Sequence, residues 1–343
     1  MKRRELMISA GLLPLLTLPI NARAQAAAVR VGYIPTTVVQ AQIAHTLDRT
    51  DILARNDLQG KLTMLNSSPA VNEALVSGAI DVGFVSDFAA ITIMAVGAPV
   101  VAIGHQSSFR GALMATPASG IKRLEDLKGK TVYGLFGVTV YQTAQEMVRK
   151  VGLVPGKDVT FINMGFSELA DAIRAKKIDA FFTWDPWITF FEKQGLANTL
   201  SASIDPTMVI MARESFVREQ PQVASRFLRA HAEALYYATR NKDRVNAWFR
   251  VPEAARQIDP DVIESSSAHD PQWNVKTFNE LKIGFSKEQV QRLQNLAQFA
   301  ADNKLAQRVA PVGERVNLEL GNAVELAQAA KPFDVAAVKV ITP

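Results

Sequence analysis

The sequence predicts an α/β protein built as two lobes, each a mostly parallel sheet with helices on both faces. Three observations carry this. From Val29 onward, short β-branched runs alternate with short helical stretches, as in parallel strands linked by helical crossovers. Ala112-Leu-Met-Ala115 and Val209-Ile-Met-Ala212 are brief apolar runs of similar character. They read as paired crossovers between lobes, with 113–211 forming one lobe inserted into a discontinuous other (27–112 plus 212–343). Finally, 343 residues at 48% hydrophobic content suit two domains with full cores.

The elements follow in order. Val29-Arg-Val-Gly-Tyr-Ile34 is a strand stopped by Pro35, and Thr36 to Thr50 is a helix with Val38, Val39, Ile43, Ala44 and Leu47 on its apolar face. Leu62 to Leu65 is a second strand, closed by a turn at Asn66-Ser-Ser-Pro69. Ala70 to Ser77 is a helix ended by Gly78. Ile80 to Val85 is a strand, Phe88 to Ala95 a helix that stops at Gly97, and Val100 to Ile103 a strand. In the second unit, Leu124 to Leu127 is one helical turn whose Glu125 and Asp126 are simply an acidic first turn. Strands at Lys130 to Leu135, Val159 to Asn163 and Ala180 to Trp184 enclose helices at Thr139 to Val151 and Ser167 to Lys176, the latter with Ser167 as N-cap. Beyond the second crossover the chain is helical. Gln222 to Asn241 carries Val223, Phe227, Leu228, Ala232 and Leu235 on one stripe, and Ser286 with Gln289 forms a capping box. The segment after Leu326 reads as a tail.

Residues 1–26 have the form of an export signal: basic Lys2-Arg3-Arg4, an apolar run from Leu6 to Ile20, and small-x-small sites at Ala22-Arg-Ala24 and Ala24-Gln-Ala26. Arg3-Arg4-Glu5-Leu6-Met7 also fits a loose twin-arginine pattern, so both the general secretory and twin-arginine routes stay open. No later run is long enough to cross a bilayer, and a soluble, monomeric mature protein is expected. The formal charge is +5, and four basic residues against one acid in the signal account for +3 of it. The remaining +2 does not point to nucleic acid. The chain has no cysteine, which excludes disulfides, thiolate chemistry and a lipoprotein anchor. Four isolated histidines, His45 and His105 among them, make no metal-binding pattern, and no metal or cofactor is expected.

Two segments suggest a site. Leu127 to Thr139 is a strand that breaks at glycine and opens a helix, where backbone N–H groups face an anion. Asp179 to Trp187 is a buried strand ending in Trp184, Asp185 and Trp187, flat apolar walls beside a carboxylate. Each residue also has a plain reading. Thr139 is a helix cap or an anion contact; Trp184 and Trp187 are core or cleft, with Trp184 expected to face the cleft. Asp185 is a turn residue or the acceptor for an amine. Ser86-Asp87 caps the next helix, which is compatible with binding, and Arg110 is a surface residue or a headgroup partner.

The order of these marks resembles one family, the periplasmic solute-binding proteins of ABC transporters in the sulfonate, taurine and nitrate group. The thiamine-pyrimidine-type binders share the pattern. The resemblance runs from Val29 to Val312 and rests on Val31-Gly-Tyr-Ile-Pro35, Gly78-Ala-Ile-Asp-Val-Gly-Phe-Val85, Leu124-Glu-Asp-Leu-Lys-Gly-Lys130, Gly137-Val-Thr139, Ile178-Asp-Ala180 and Trp184-Asp-Pro186. It implies a type II two-lobe fold with two crossover strands, a solute held in the cleft by lobe closure, and a membrane permease as partner. Carried onto this chain, it implies first-lobe contacts from Tyr33, Pro35, Thr36 and Thr37, from Ser86, Asp87 and Phe88, and from His105 and Gln106. Second-lobe contacts would come from Val138, Thr139, Tyr141, Trp184, Asp185 and Trp187. Family members often carry serine where this chain has Val138. The lost hydroxyl, with Phe88 and the tryptophans, favours an organic anion with an apolar body, a sulfonate, sulfate ester or aromatic carboxylate, taurine-like or aromatic, over nitrate or sulfate; a taurine-like zwitterion would suit Asp185, a plain sulfonate would not. Two alternatives are a heteroaromatic stacked on Trp184 with Asp185 accepting from its amino group, and an enzyme on the same fold. The sequence shows no Gly-x-Ser-x-Gly, no P-loop pattern and no histidine beside an evident acid to support the enzyme.

Overall fold

The computed structural model describes residues 26–342, so the expected export signal, except Ala26, lies outside the described residues. The strands are β1 (Ala27–Tyr33), β2 (Leu58–Met64), β3 (Val82–Ser86), β4 (Val100–Ser108), β5 (Gly111–Ala115), β6 (Thr131–Gly134), β7 (Thr160–Asn163), β8 (Ala180–Trp184), β9 (Asn198–Ser203) and β10 (Thr207–Arg213). They form two sheets with one topology, β2-β1-β3-β10-β4 and β7-β6-β8-β5-β9. In each, three parallel strands are followed by one antiparallel strand and a fifth that returns to the first direction.

The fourth strand of each sheet is a crossover. β4 runs through Phe109 and Arg110 into β5, and β9 runs through 204–206 into β10. The two crossovers lie antiparallel along their length, β4 against β10 and β5 against β9. The two short strands read as partners from the sequence do not pair with each other: Gly111–Ala115 lies in the second sheet and Thr207–Arg213 in the first. Each pairs instead with the other crossover's half.

Both faces of the first sheet are buried, as parallel strands require. Along β3, Val82 and Phe84 join one apolar cluster while Val85 joins the other, the period of two that a strand imposes. One cluster lies under the Pro221–Arg240 helix, whose Phe227, Leu228, Ala232 and Leu235 are fully buried. The other runs without a break from the inner face of the first sheet into the second lobe. Two local expectations change. Gly165, not Ser167, is the N-cap of the Phe166–Arg174 helix. The chain after Leu326, read as a tail, first completes the Leu318–Ala330 helix and then docks on the first lobe, where Val340 bridges Thr50 and the Ile341 N–H bonds the Arg49 carbonyl at 2.8 Å.

Candidate functional site

The topology places a cleft at the carboxyl ends of β1, β3, β6 and β8, where open α/β sheets hold ligands. Twelve residues line it: Ile34, Thr37, Asn66, Ser67, Ser68, Ser86, Phe109, Leu135, Val138, Val140, Trp184 and Met208, drawn close around a narrow space of ≈ 30 Å³. None of the twelve is charged. Apolar walls come from both lobes and both crossovers, and the polar atoms are almost all hydroxyls.

Four helices start at this cleft: Val38–Arg49, Ser68–Val76, Asp87–Ala95 and Thr139–Lys150. Two are capped by their own serines. Ser67 Oγ accepts from the Ala70 N–H and Ser86 Oγ from the Ala89 N–H, each at 3.4 Å. The other two, one from each lobe, are not. Thr37 makes no side-chain cap bond, and Val138 has no polar atom with which to make one. Yet both starts are buried: Val38 is 3% exposed, and Val140 1%. A buried helix start whose first N–H groups lack a cap requires an acceptor from elsewhere. Their dipoles add partial positive charge on both sides of the same space.

Gly137 lets the second of these helices approach. Its φ is +74°, a left-handed conformation, and a Cβ there would meet Pro69 Cγ of the first lobe at 3.2 Å.

Of the residues named from the sequence, Thr37, Ser86, Val138 and Trp184 line the cleft together. Thr36 takes part through its backbone: its carbonyl accepts the indole N–H of Trp184 at 3.1 Å and of Trp187 at 3.2 Å, joining the two lobes. Pro35 turns the chain into that loop. Phe88 lies buried behind the Ser86 helix start. The rest lie outside this lining. Trp187 is core, 1% exposed and packed on Phe166 at 4.4 Å between ring centroids. Tyr141 stacks on Phe136 at 4.1 Å within the second lobe's aromatic cluster. Tyr33 packs edge-on against His45 in the first lobe's core. Gln106 is fully buried and accepts from Ser107 Oγ at 2.6 Å. His105, also buried, lies 3.4 Å from Gln272, and burial pushes its pKa down to about 4.

Thr139 is the first helical residue, not the cap. Its hydroxyl donates to Asp87 Oδ1 and accepts the Phe88 N–H at 3.1 Å, so its proton is already committed across the lobes. Asp87 is fully buried and fully coordinated: Oδ1 also accepts the Phe88 N–H at 2.7 Å, and Oδ2 accepts from Thr207 Oγ1 at 2.8 Å and from Arg292. Asp185 is 2% exposed. Arg110 holds it with two bonds, 2.8 and 3.0 Å, Thr189 Oγ1 donates to it at 3.1 Å, and His269 Nδ1 lies 3.1 Å away. Burial alone would raise its pKa, but the hydrogen bonds from His269 and Arg110 prevail and hold it below the usual carboxylate value. Arg110 is therefore neither a free surface residue nor free for a headgroup, and a histidine does stand against an acid.

Sequence reasoning missed Asn66, Ser67 and Ser68, which it read only as a turn. Serine followed by proline at a helix start was the available signal. A wider groove of ≈ 480 Å³ between the Thr139–Lys150 and Lys287–Asp302 helices is open and includes Thr139, Glu146, Lys150, Asp205 and Arg292 in its lining.

The model of the NMT1/THI5-like family matches residues 54–245. A putative aliphatic sulfonates-binding protein of Escherichia coli K12 is 26% identical over 201 residues, 57% of this chain and 61% of that protein, so the match spans about three fifths of the relative's length. The taurine-binding periplasmic protein of the same organism is 24% identical over 239 residues, 68% of this chain and 72% of the relative. Among solved structures, the alkanesulfonate-binding protein SsuA of Xanthomonas axonopodis pv. citri, bound to MOPS, superposes with a TM-score of 0.71 at 19% identity, covering 86% of this chain and 99% of that one. The fold is the two-lobe type II fold of periplasmic binding proteins.

Proposed function

The chain belongs to the NMT1/THI5-like family, and from that premise we propose that it is the periplasmic solute-binding component of an ABC importer for a small organic anion. The anion is a sulfonate or sulfate ester, held in the cleft as the lobes close and delivered to a membrane permease. One observation carries the reading: two buried, uncapped helix starts from opposite lobes face a single cleft with no charged side chain in its lining. Backbone N–H groups and helix dipoles can neutralise one anionic head there, while Ile34, Phe109, Leu135, Met208 and Trp184 suit an apolar body. Binding proteins for aliphatic sulfonates and taurine among the relatives agree with this class. The heteroaromatic alternative needs Asp185 as a free acceptor, and Arg110, Thr189 and His269 occupy that carboxylate.

A thermal-shift screen of the mature protein tests the reading. The panel holds alkyl and aryl sulfonates, an aryl sulfate ester, aromatic carboxylates, nitrate and an aminopyrimidine. A ligand at about 100 times its Kd adds roughly 2.7 kcal/mol and raises Tm by several degrees. A shift selective for sulfonates or sulfate esters is the expected result. A shift with the aminopyrimidine alone, or with no anion, overturns it.

A further inference from the structure

The cleft's charge balance says more than that an anion binds. A zwitterionic solute such as an aminoalkyl sulfonate brings an ammonium as well as an acid group. Burying that ammonium requires a counter-charge, which the neutral hydroxyls of the lining do not supply, since an unpaired buried charge is very costly. The sequence offers two carboxylates for the role, Asp87 and Asp185, each directly after a strand that ends at the cleft. Both are taken. Asp87 is fully buried among Thr139, Phe88, Thr207 and Arg292; Asp185 is held by Arg110, Thr189 and His269. Each has an arginine as its counter-charge, and neither belongs to the cleft lining, which holds no charged residue.

We propose that this cleft selects organic anions that carry no cationic group, and that it rejects zwitterionic aminosulfonates because its two neighbouring carboxylates are already neutralised within the protein. The proposal rests on the anion reading of the cleft and narrows it. The tryptophan N–H groups add to the discrimination. Both are directed at the Thr36 carbonyl, so that loop oxygen is not free to receive an ammonium either.

Propane-1-sulfonate and taurine test it, because they are nearly the same shape, a methyl in one standing where the other has an ammonium. Isothermal titration of the mature protein at neutral pH is expected to show propane-1-sulfonate binding about 100-fold or more tightly than taurine, the ratio set by an ammonium without a counter-charge. A second arm raises the pH past the pKa of taurine's amine, with propane-1-sulfonate as the control for any change in the protein. The gap is expected to narrow. Taurine binding as tightly as propane-1-sulfonate at neutral pH overturns the proposal while leaving the anion reading intact. A gap that persists unchanged at high pH also overturns it, since rejection would then be steric. If no sulfonate from ethane- to benzenesulfonate binds, the anion reading fails first and this inference falls with it.

Discussion

Replacing Thr139 with alanine separates a lobe-joining contact from a helix cap. The Thr139 hydroxyl makes two hydrogen bonds to the first lobe, donating to the Asp87 carboxylate and accepting the Phe88 N–H at 3.1 Å. Thr139→Ala removes both. Neither partner is left unsatisfied, because the Phe88 N–H keeps Asp87 Oδ1 at 2.7 Å and Asp87 Oδ2 keeps Thr207 and Arg292. The loss is therefore that of the contact itself, about 1.5–3 kcal/mol for a hydrogen bond to a charged group. If the contact forms only when the lobes close, the whole of it appears in binding, a rise in Kd of about 10- to 100-fold. The second-lobe helix should be unharmed, since Val138 is its N-cap and alanine is an excellent helix former. Titration with the best sulfonate from the screen gives Kd, and calorimetry of the ligand-free protein gives Tm. The expected result is a Kd raised at least 10-fold, a ligand-free Tm within about 2 °C, and near-complete rescue by Thr139→Ser. An unchanged Kd with a Tm lowered by several degrees would refute the reasoning and make Thr139 a stabilising residue of one lobe.

Trp184→Ala should weaken binding about 10-fold or more with the fold retained, whereas Trp187→Ala should cost about 3–5 kcal/mol of stability, the usual range for emptying a large core site; equal, small effects of both on Kd would sink the distinction. His45, His105 and His231 are buried and neutral, burial holding their pKa values at about 4, about 4 and about 3. Their stabilisation is present above the unfolded value near 6.5 and is lost as pH falls from there towards 4, so Tm should drop over that window. His231 packs edge-on to Phe84 with neither ring nitrogen bonded, and His231→Leu should flatten the drop. Asp270 acts in the opposite sense. Burial pushes its carboxyl up to about 7, so its contribution grows as pH falls from 7 towards 4, and Asp270→Asn should steepen the drop. Tm curves for the two variants that run parallel to the parent's would contradict both assignments.

Much of this architecture was legible because strand ends and glycines are local signals. The run Ala180–Trp184 is a strand with the bounds its sequence suggests, and its last residue faces the cleft because the strand stops there. Helix faces were harder. Tyr141 lies two residues after Thr139, and two residues are about half a turn, so it points into the second lobe's aromatic cluster instead of towards the first lobe. Least legible were the partners of charges. Arg110 and Asp185 are 75 residues apart, and Arg292 and Asp87 are 205 apart. No periodicity reports such a pairing, so a carboxylate at a strand end looked free for a ligand when the fold had already occupied it.

The two carboxylates occupy equivalent places. Asp87 follows β3 and Asp185 follows β8, the third strands of two sheets with the same order. Each meets a group from the other half of the molecule: Asp87 takes a hydrogen bond from Thr139 of the second lobe, and Asp185 lies 3.1 Å from His269 Nδ1, which comes from the chain beyond β10. Each also takes an arginine, Arg292 for one and Arg110, in the first crossover, for the other. A negative charge beside an anion cleft would ordinarily oppose the ligand, by an energy that grows as water is excluded. Bound to arginine and to donors from across the molecule, each charge is offset behind the cleft, outside its lining. The positive ends of the helix starts then face the cleft without an unpaired carboxylate opposing them, although its lining carries no lysine or arginine.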